Sequence, residues 1–160
     1  MANITMNAKD ALSASLAECY VEIDGKRYNM MSAKKVELKI NKTKAKIGIL
    51  GRTGKGNKST GWEGTGSATF YFNMPIFRRA LREYKDSGED LYFDMQIVNE
   101  DPTTAVGRQI VFARDCNLDG GTLALFDVDS EVLEEELNFT FDDFEISEEF
   151  ALLNGMEYGG

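Results

Sequence analysis

Residues 34–50 read KKVELKINKTKAKIGIL. Its first part alternates strictly, with Val36, Leu38 and Ile40 on one face and Glu37, Lys39 and Asn41 on the other. Successive side chains of a strand point to opposite faces, so a period of two with one apolar face predicts a half-buried β-strand. The continuation from Lys42 to Lys46 stays extended in character but loses the apolar face, until Ile47, Ile49 and Leu50 restore one. A strand with little to bury in mid-course is predicted to leave the body of the domain. The segment that follows holds Gly51, Gly54, Gly56, Gly61, Gly64 and Gly66, with Arg52, Lys55 and Lys58 among them, and cannot pack a core by itself. Strand character resumes over residues 65–72. The expectation is a long basic hairpin over residues 34–72 with a flexible, glycine-rich tip.

Upstream, β-prone runs at Cys19–Ile23 and Lys26–Met30 flank Asp24-Gly25, a two-residue link of the kind that closes tight hairpins. Residues 1–18 are small and polar and read as a mobile arm or a short helix. Downstream, a helix is expected over residues 74–87. Asn73 would cap it, Pro75 suits its first turn, Ile76, Phe77, Ala80, Leu81 and Tyr84 form one stripe, and Gly88 stops it. Further strands are expected over 91–98, closed by an Asp101-Pro102 turn, along Ile110, Phe112, Cys116 and Leu118, and over 122–126 after a Gly120-Gly121 turn. The last is expected over 133–146, where Leu133, Leu137, Phe139 and Phe141 share a parity that Glu135 alone breaks. Many strands and one helix give a mainly β fold: an antiparallel sandwich or barrel with one flanking α-helix and a protruding hairpin. Neither a repeat nor a linker divides the chain, so one domain over residues 1–160 is expected.

The 160 residues suffice for a core, and 42% apolar composition rules against disorder. A net charge of −9 and a pI near 4.6 have the wrong sign for a protein that mainly binds polyanions. Histidine is absent, which removes Ser-His-Asp and Cys-His sites and every His-containing metal site. Cys19 and Cys116 have no metal or redox spacing and read as two buried thiols. The start carries no basic, apolar leader and no run reaches 18 apolar residues, so a soluble, cytoplasmically made protein without a membrane anchor is expected. Residues 51–59 (GRTGKGNKS) approach a phosphate loop, but Asn57 intrudes before Lys58-Ser59 and a strand, not a helix, is expected next. Asp127-Val-Asp-Ser-Glu131 lacks the central glycine and distal Glu of a calcium loop. No catalytic constellation emerges, and no metal or cofactor is expected. What stands out is charge segregation. Residues 34–58 hold nine Lys and Arg against Glu37 alone, a net of +8, whereas residues 127–149 hold eleven carboxylates and no cation. Either the two patches pair within the fold, or the basic hairpin of one copy meets the acidic face of another, a contact between different patches that generates rings or open filaments.

Two stretches, residues 51–71 (GRTGKGNKSTGWEGTGSATFY) and 126–146 (FDVDSEVLEEELNFTFDDFEI), resemble the tail tube proteins of contractile phages and phage-like particles of Gram-positive bacteria, the type found in defective prophages and R-type bacteriocins. The resemblance runs from about Cys19 to Phe150. It implies a non-enzymatic structural subunit that forms hexameric rings stacked into a hollow tube inside a contractile sheath, a virion or particle component driven through the target envelope. Implied partners are further copies of itself, the sheath, baseplate and tail-terminator proteins, and a tape-measure protein or DNA in the lumen. The alternatives are a tube of a related secretion apparatus and a small ligand-binding β-domain. The interface expected to build the tube comprises the lysines Lys42, Lys44 and Lys46, the apolar Ile47, Ile49, Leu50 and Trp62, the tip cations Arg52, Lys55 and Lys58, and the acidic Glu134, Glu135 and Glu136.

Overall fold

The computed structural model describes residues 5–157. In chain order, a short 3-10 turn at Ala8–Asp10 precedes β1 (Ala17–Ile23), β2 (Lys26–Asn29), β3 (Ala33–Ile47), β4 (Gly56–Tyr71), α1 (Ile76–Ser87), β5 (Phe93–Glu100), β6 (Arg108–Leu118), β7 (Glu134–Phe141) and β8 (Asp143–Glu148). The fold is mainly β with one helix, as the alternation predicts. By contact density the chain divides into two compact units.

Among the described residues the first unit comprises 5–31, 93–114 and 144–157. Its strands run in the order β2-β1-β5-β6, with β8 paired to β6. β1 and β2 form the expected hairpin, in register Ile23↔Lys26, and both turn residues have positive φ (Asp24 50°, Gly25 78°). That is the type I′ geometry whose twist matches its flanking strands. Val21, Phe93, Met95 and Ala113 are buried here. Ahead of β1 the arm is tied to residues 101–105: the Ser13 amide donates to Asp101 Oδ2 at 3.0 Å, and the Ala105 amide donates to Asp10 Oδ1 at 3.0 Å. Asp101 also accepts from the Thr103 amide, making the expected turn. These backbone donors hold the Asp101 carboxyl below the ordinary aspartate range.

The second unit comprises residues 32–92 and 115–143, with strand order β6-β7-β4-β3, all antiparallel. Along β7, Glu135, Leu137, Phe139 and Phe141 are all buried and the residues between them exposed. Across the ladder they face Phe70, Ala68, Gly66 and Gly64 of β4. Leu137, Phe139 and Phe141 thus meet small residues on β4, while Glu135 lies across from Phe70. A Cβ on Gly64 would stand 2.4 Å from the Phe141 ring, and one on Gly66 would stand 2.4 Å from the Phe139 ring. These two glycines are strand positions whose missing side chain makes room for a phenylalanine ring, not parts of a flexible tip. Strand β4 begins at Gly56, nine residues before the sequence pattern predicts, because residues 56–63 are held extended by main-chain pairing with β3, which needs no apolar alternation.

Three further expectations are corrected. Asn73 does not cap the helix: its amide donates to the Tyr71 carbonyl in the turn after β4, and Pro75 occupies the N-cap position. No strand follows Gly120-Gly121; residues 119–133 form an irregular loop. The expected final strand is two, β7 and β8, broken at Asp142. Of the helical stripe, Phe77 is buried and tilts against Phe70 with ring centroids 5.8 Å apart, whereas Tyr84, near the C-terminal end, stays exposed.

Candidate assembly interface

Strands β3 and β4, of 15 and 16 residues, make one long hairpin paired from Ala33↔Phe70 to Ile47↔Gly56. Only its base is packed. From Lys39 to Ile47 every β3 residue is exposed, and so is every β4 residue from Asn57 to Glu63. At about 3.3 Å per residue, roughly 30 Å of hairpin holds no buried residue. Thr60 is the extra residue of a bulge between the pairs Thr43↔Gly61 and Lys44↔Ser59, and its hydroxyl donates to the Thr43 carbonyl at 3.2 Å. A bulge bends and twists the ladder locally, which discourages indiscriminate edge pairing. β3 ends the strand order, so among the described residues its outer edge has no neighbour.

The even-numbered positions of β3 share one face, the one from which Leu38 reaches Gly66 beside the Phe139 ring. Val36, Leu38 and Ile40 are apolar on that face, and Lys42, Lys44 and Lys46 continue it outward. The face thus turns from apolar to cationic as the hairpin leaves the body. Trp62 lies across from Lys42, half exposed, its ring centroid 6.4 Å from that of Phe141. At the tip Ile47 and Ile49 are exposed, and Leu50 is 102% exposed. Residues 51–59 contain no helix start: β4 begins within them, so no amide cluster faces a phosphate.

Pairing splits the charge segregation in two. At the base, Lys34 pairs with Glu134, and Lys35 and Lys39 both pair with Glu37, at 3.9 and 2.9 Å. The Lys39 ammonium, first of these causes, holds the Glu37 carboxyl below its ordinary range, and Glu134 holds Lys34 above its own. Toward the tip, Lys42, Lys44, Lys46, Arg52, Lys55 and Lys58 make no ion pair among the described residues.

The acidic region divides likewise. Glu135, the residue that broke the parity of β7, points inward with its side chain 2% exposed and accepts from Arg78 Nη1 of α1 at 2.5 Å. Arg78 also donates to the Met74 carbonyl at 2.7 Å and stacks over the Phe72 ring at 4.4 Å. The pair therefore fastens α1 to β7. With Glu134 already joined to Lys34, Glu136 is the one residue of the three left exposed without an ion pair among the described residues. Glu145 and Glu148 pair with Arg114 and Arg108. Sequence reasoning missed Arg78, whose only signal was its position one turn into the helix, and missed the open β3 edge, which depends on strand order.

Cys19 and Cys116 are both buried, and burial pushes the Cys19 thiol up to about 12. Among the described residues no group of three or more His, Cys, Asp or Glu side chains is placed to hold a metal, and no helix is long and apolar enough to cross a membrane.

An exposed hairpin beyond the core, an open sheet edge and segregated charge can be set against known proteins. The sequence profile described as phage tail tube protein matches residues 4–148. The phage-like element PBSX protein XkdM of Bacillus subtilis (strain 168) is 36% identical over 148 residues, covering 92% of this chain and 98% of that protein. Among solved structures, a chain of the anti-feeding prophage baseplate, six-fold symmetrised, shares the fold with a TM-score of 0.60 at 6% identity, covering 91% of this chain and 97% of that one. A chain of an extracellular contractile injection system, the PVC sheath–tube complex in its extended state, does so with a TM-score of 0.59 at 10% identity, covering 80% and 86%. Family profile, relative and fold agree: the chain belongs to the phage tail tube protein family.

Proposed function

We propose that this chain polymerises as hexameric rings stacked into the inner tube of a contractile, phage-like tail, the channel that enters the target envelope when a surrounding sheath contracts. The observation that carries the reading is the roughly 30 Å of β3–β4 hairpin exposed on every residue. A monomer gains nothing from ordering such an element. A polymer gains the burial of Ile47, Ile49, Leu50 and Trp62 and the pairing of the β3 edge, which supply affinity through apolar contact and main-chain hydrogen bonds. The six unpaired cations supply direction. Basic surface against acidic surface is favoured head to tail, and like charges oppose inverted stacking. Glu136 is the acidic partner this reading now favours within residues 134–136, since Glu134 and Glu135 are engaged inside the chain.

The six-fold symmetry of the anti-feeding prophage baseplate and the sheath–tube architecture of the PVC particle support the hexameric ring and the sheath partner. By the same reading the protein performs no catalysis, is made in the cytoplasm, and meets baseplate and terminator proteins at the tube ends, with a tape-measure protein or DNA in the lumen. The test is negative-stain microscopy and sedimentation of the purified chain over a concentration series. Rings or hollow tubes above a critical concentration are expected. A chain that stays monomeric at every concentration would overturn the reading.

A further inference from the structure

Helix α1 carries a cationic surface on the side away from Phe77. Arg79 and Arg82 lie one turn apart, both exposed, and neither forms an ion pair among the described residues. Side chains three apart on a helix are neighbours, so the two guanidiniums repel each other until an anion joins them. They border a groove of about 630 Å³ between α1 and the start of the 119–133 loop, with Pro75, Leu81 and Leu123 as apolar walls.

Further along the same loop the chain carries the complementary shape. Residues 127–130 form a tight turn, with the Asp129 amide donating to Asp127 Oδ1 at 3.1 Å and the Ser130 hydroxyl donating to the Val132 carbonyl at 2.9 Å. Phe126 and Val128 are 90% and 82% exposed, and Asp127, Asp129 and Glu131 surround them. An apolar knob in an acidic collar, already shaped by its own hydrogen bonds, has little conformational freedom left to lose on binding.

We propose that the Phe126–Glu131 knob of one copy seats in the α1 groove of a second copy, Phe126 against Leu81 and Leu123, with Asp129 and Glu131 on Arg79 and Arg82. Charge complementarity selects this occupant. The groove is cationic with apolar walls, the knob is anionic with an apolar tip, and neither is covered within the chain. Groove and knob are different patches, so the contact is heterologous and propagates from copy to copy instead of closing a two-fold dimer. The inference rests on the self-assembly reading above and adds a second contact to the hairpin.

Two charge-reversed full-length proteins test it: Arg79→Glu with Arg82→Glu, and Asp129→Lys with Glu131→Lys. Arg78 and Asp127 are left intact, because one fastens α1 and the other shapes the turn. Each variant alone should raise the critical concentration for assembly about tenfold or more, the change that 1.4 kcal/mol of lost contact produces. An equimolar mixture should assemble near the wild-type concentration, because each variant's groove then faces the other's knob with opposite charge. That rescue also shows that both variants fold. Wild-type critical concentrations for either variant alone, or a mixture that stays unassembled while circular dichroism shows both folded, would overturn the inference and leave the tube reading standing. A wild-type protein that never assembles would overturn the tube reading and this contact with it.

Discussion

Replacing Arg78 by Met isolates the buried ion pair that joins α1 to β7. Glu135 has a side chain 2% exposed, so without Arg78 it is a carboxylate in the interior with no counter-charge. Removing one partner of a buried pair typically costs about 3–5 kcal/mol. The Met74 carbonyl, 2.7 Å from Arg78 Nη2, loses its donor as well, and the stacking over Phe72 goes with it. Against a total stability on the order of 5–15 kcal/mol the loss is large. The opposite change, Glu135→Leu, should cost much less, because the Arg78 side chain is 24% exposed and can turn toward solvent. The double variant places two apolar residues of similar length against each other and should recover most of the loss, as buried ion pairs replaced whole by apolar groups commonly do. Urea denaturation of dilute, unassembled protein followed by circular dichroism reads this directly. With a slope of about 2 kcal/mol per molar urea, the Arg78→Met midpoint should fall by about 1.5–2.5 M. A fall of less than about 0.5 M by the same slope, or a double variant no more stable than Arg78→Met alone, would refute the reasoning.

Gly66→Ala should destabilise by about 1–3 kcal/mol, since its Cβ would stand 2.4 Å from the ring of Phe139, which is itself 2% exposed and cannot retreat. Gly61→Ala, with nothing near the added atom, should leave the urea midpoint unchanged to within about 0.5 kcal/mol of stability. The triple change Lys42→Glu, Lys44→Glu and Lys46→Glu should block elongation in light scattering and microscopy while circular dichroism stays wild-type; normal tubes would dismiss the hairpin's charges from assembly. For Cys19 the thiol pKa is raised on folding from 9.0 to about 12, so its contribution to stability is fully present below pH 9 and is lost as pH rises toward 12. Cys19→Ala should therefore flatten the fall in stability above pH 9, and native Cys19 should resist alkylation at pH 8 until the chain is unfolded.

Local pattern determined much of this protein. Alternation at Val36, Leu38 and Ile40, its failure from Lys42, the Asp24-Gly25 link, and the stripe at Ile76, Phe77 and Leu81 are short-range features, and each became the element it predicts because backbone and side-chain geometry act over a few residues. The combination of motifs in residues 51–71 and 126–146 was also enough to indicate the family. The remaining features depend on partners distant in sequence. Gly64 looks like a loop residue and Gly66 like a weak place in a strand until the β4–β7 register sets Phe141 and Phe139 over them. Glu135 looks like a flaw in an apolar face until Arg78, 57 residues away, neutralises it. The basic run looks uniform until strand pairing brings Glu134 to Lys34, leaving only the outer lysines and the tip cations unpaired. Charge and glycine in a sequence state what a residue can do, and only its long-range neighbours fix whether it is buried, paired or left for another copy.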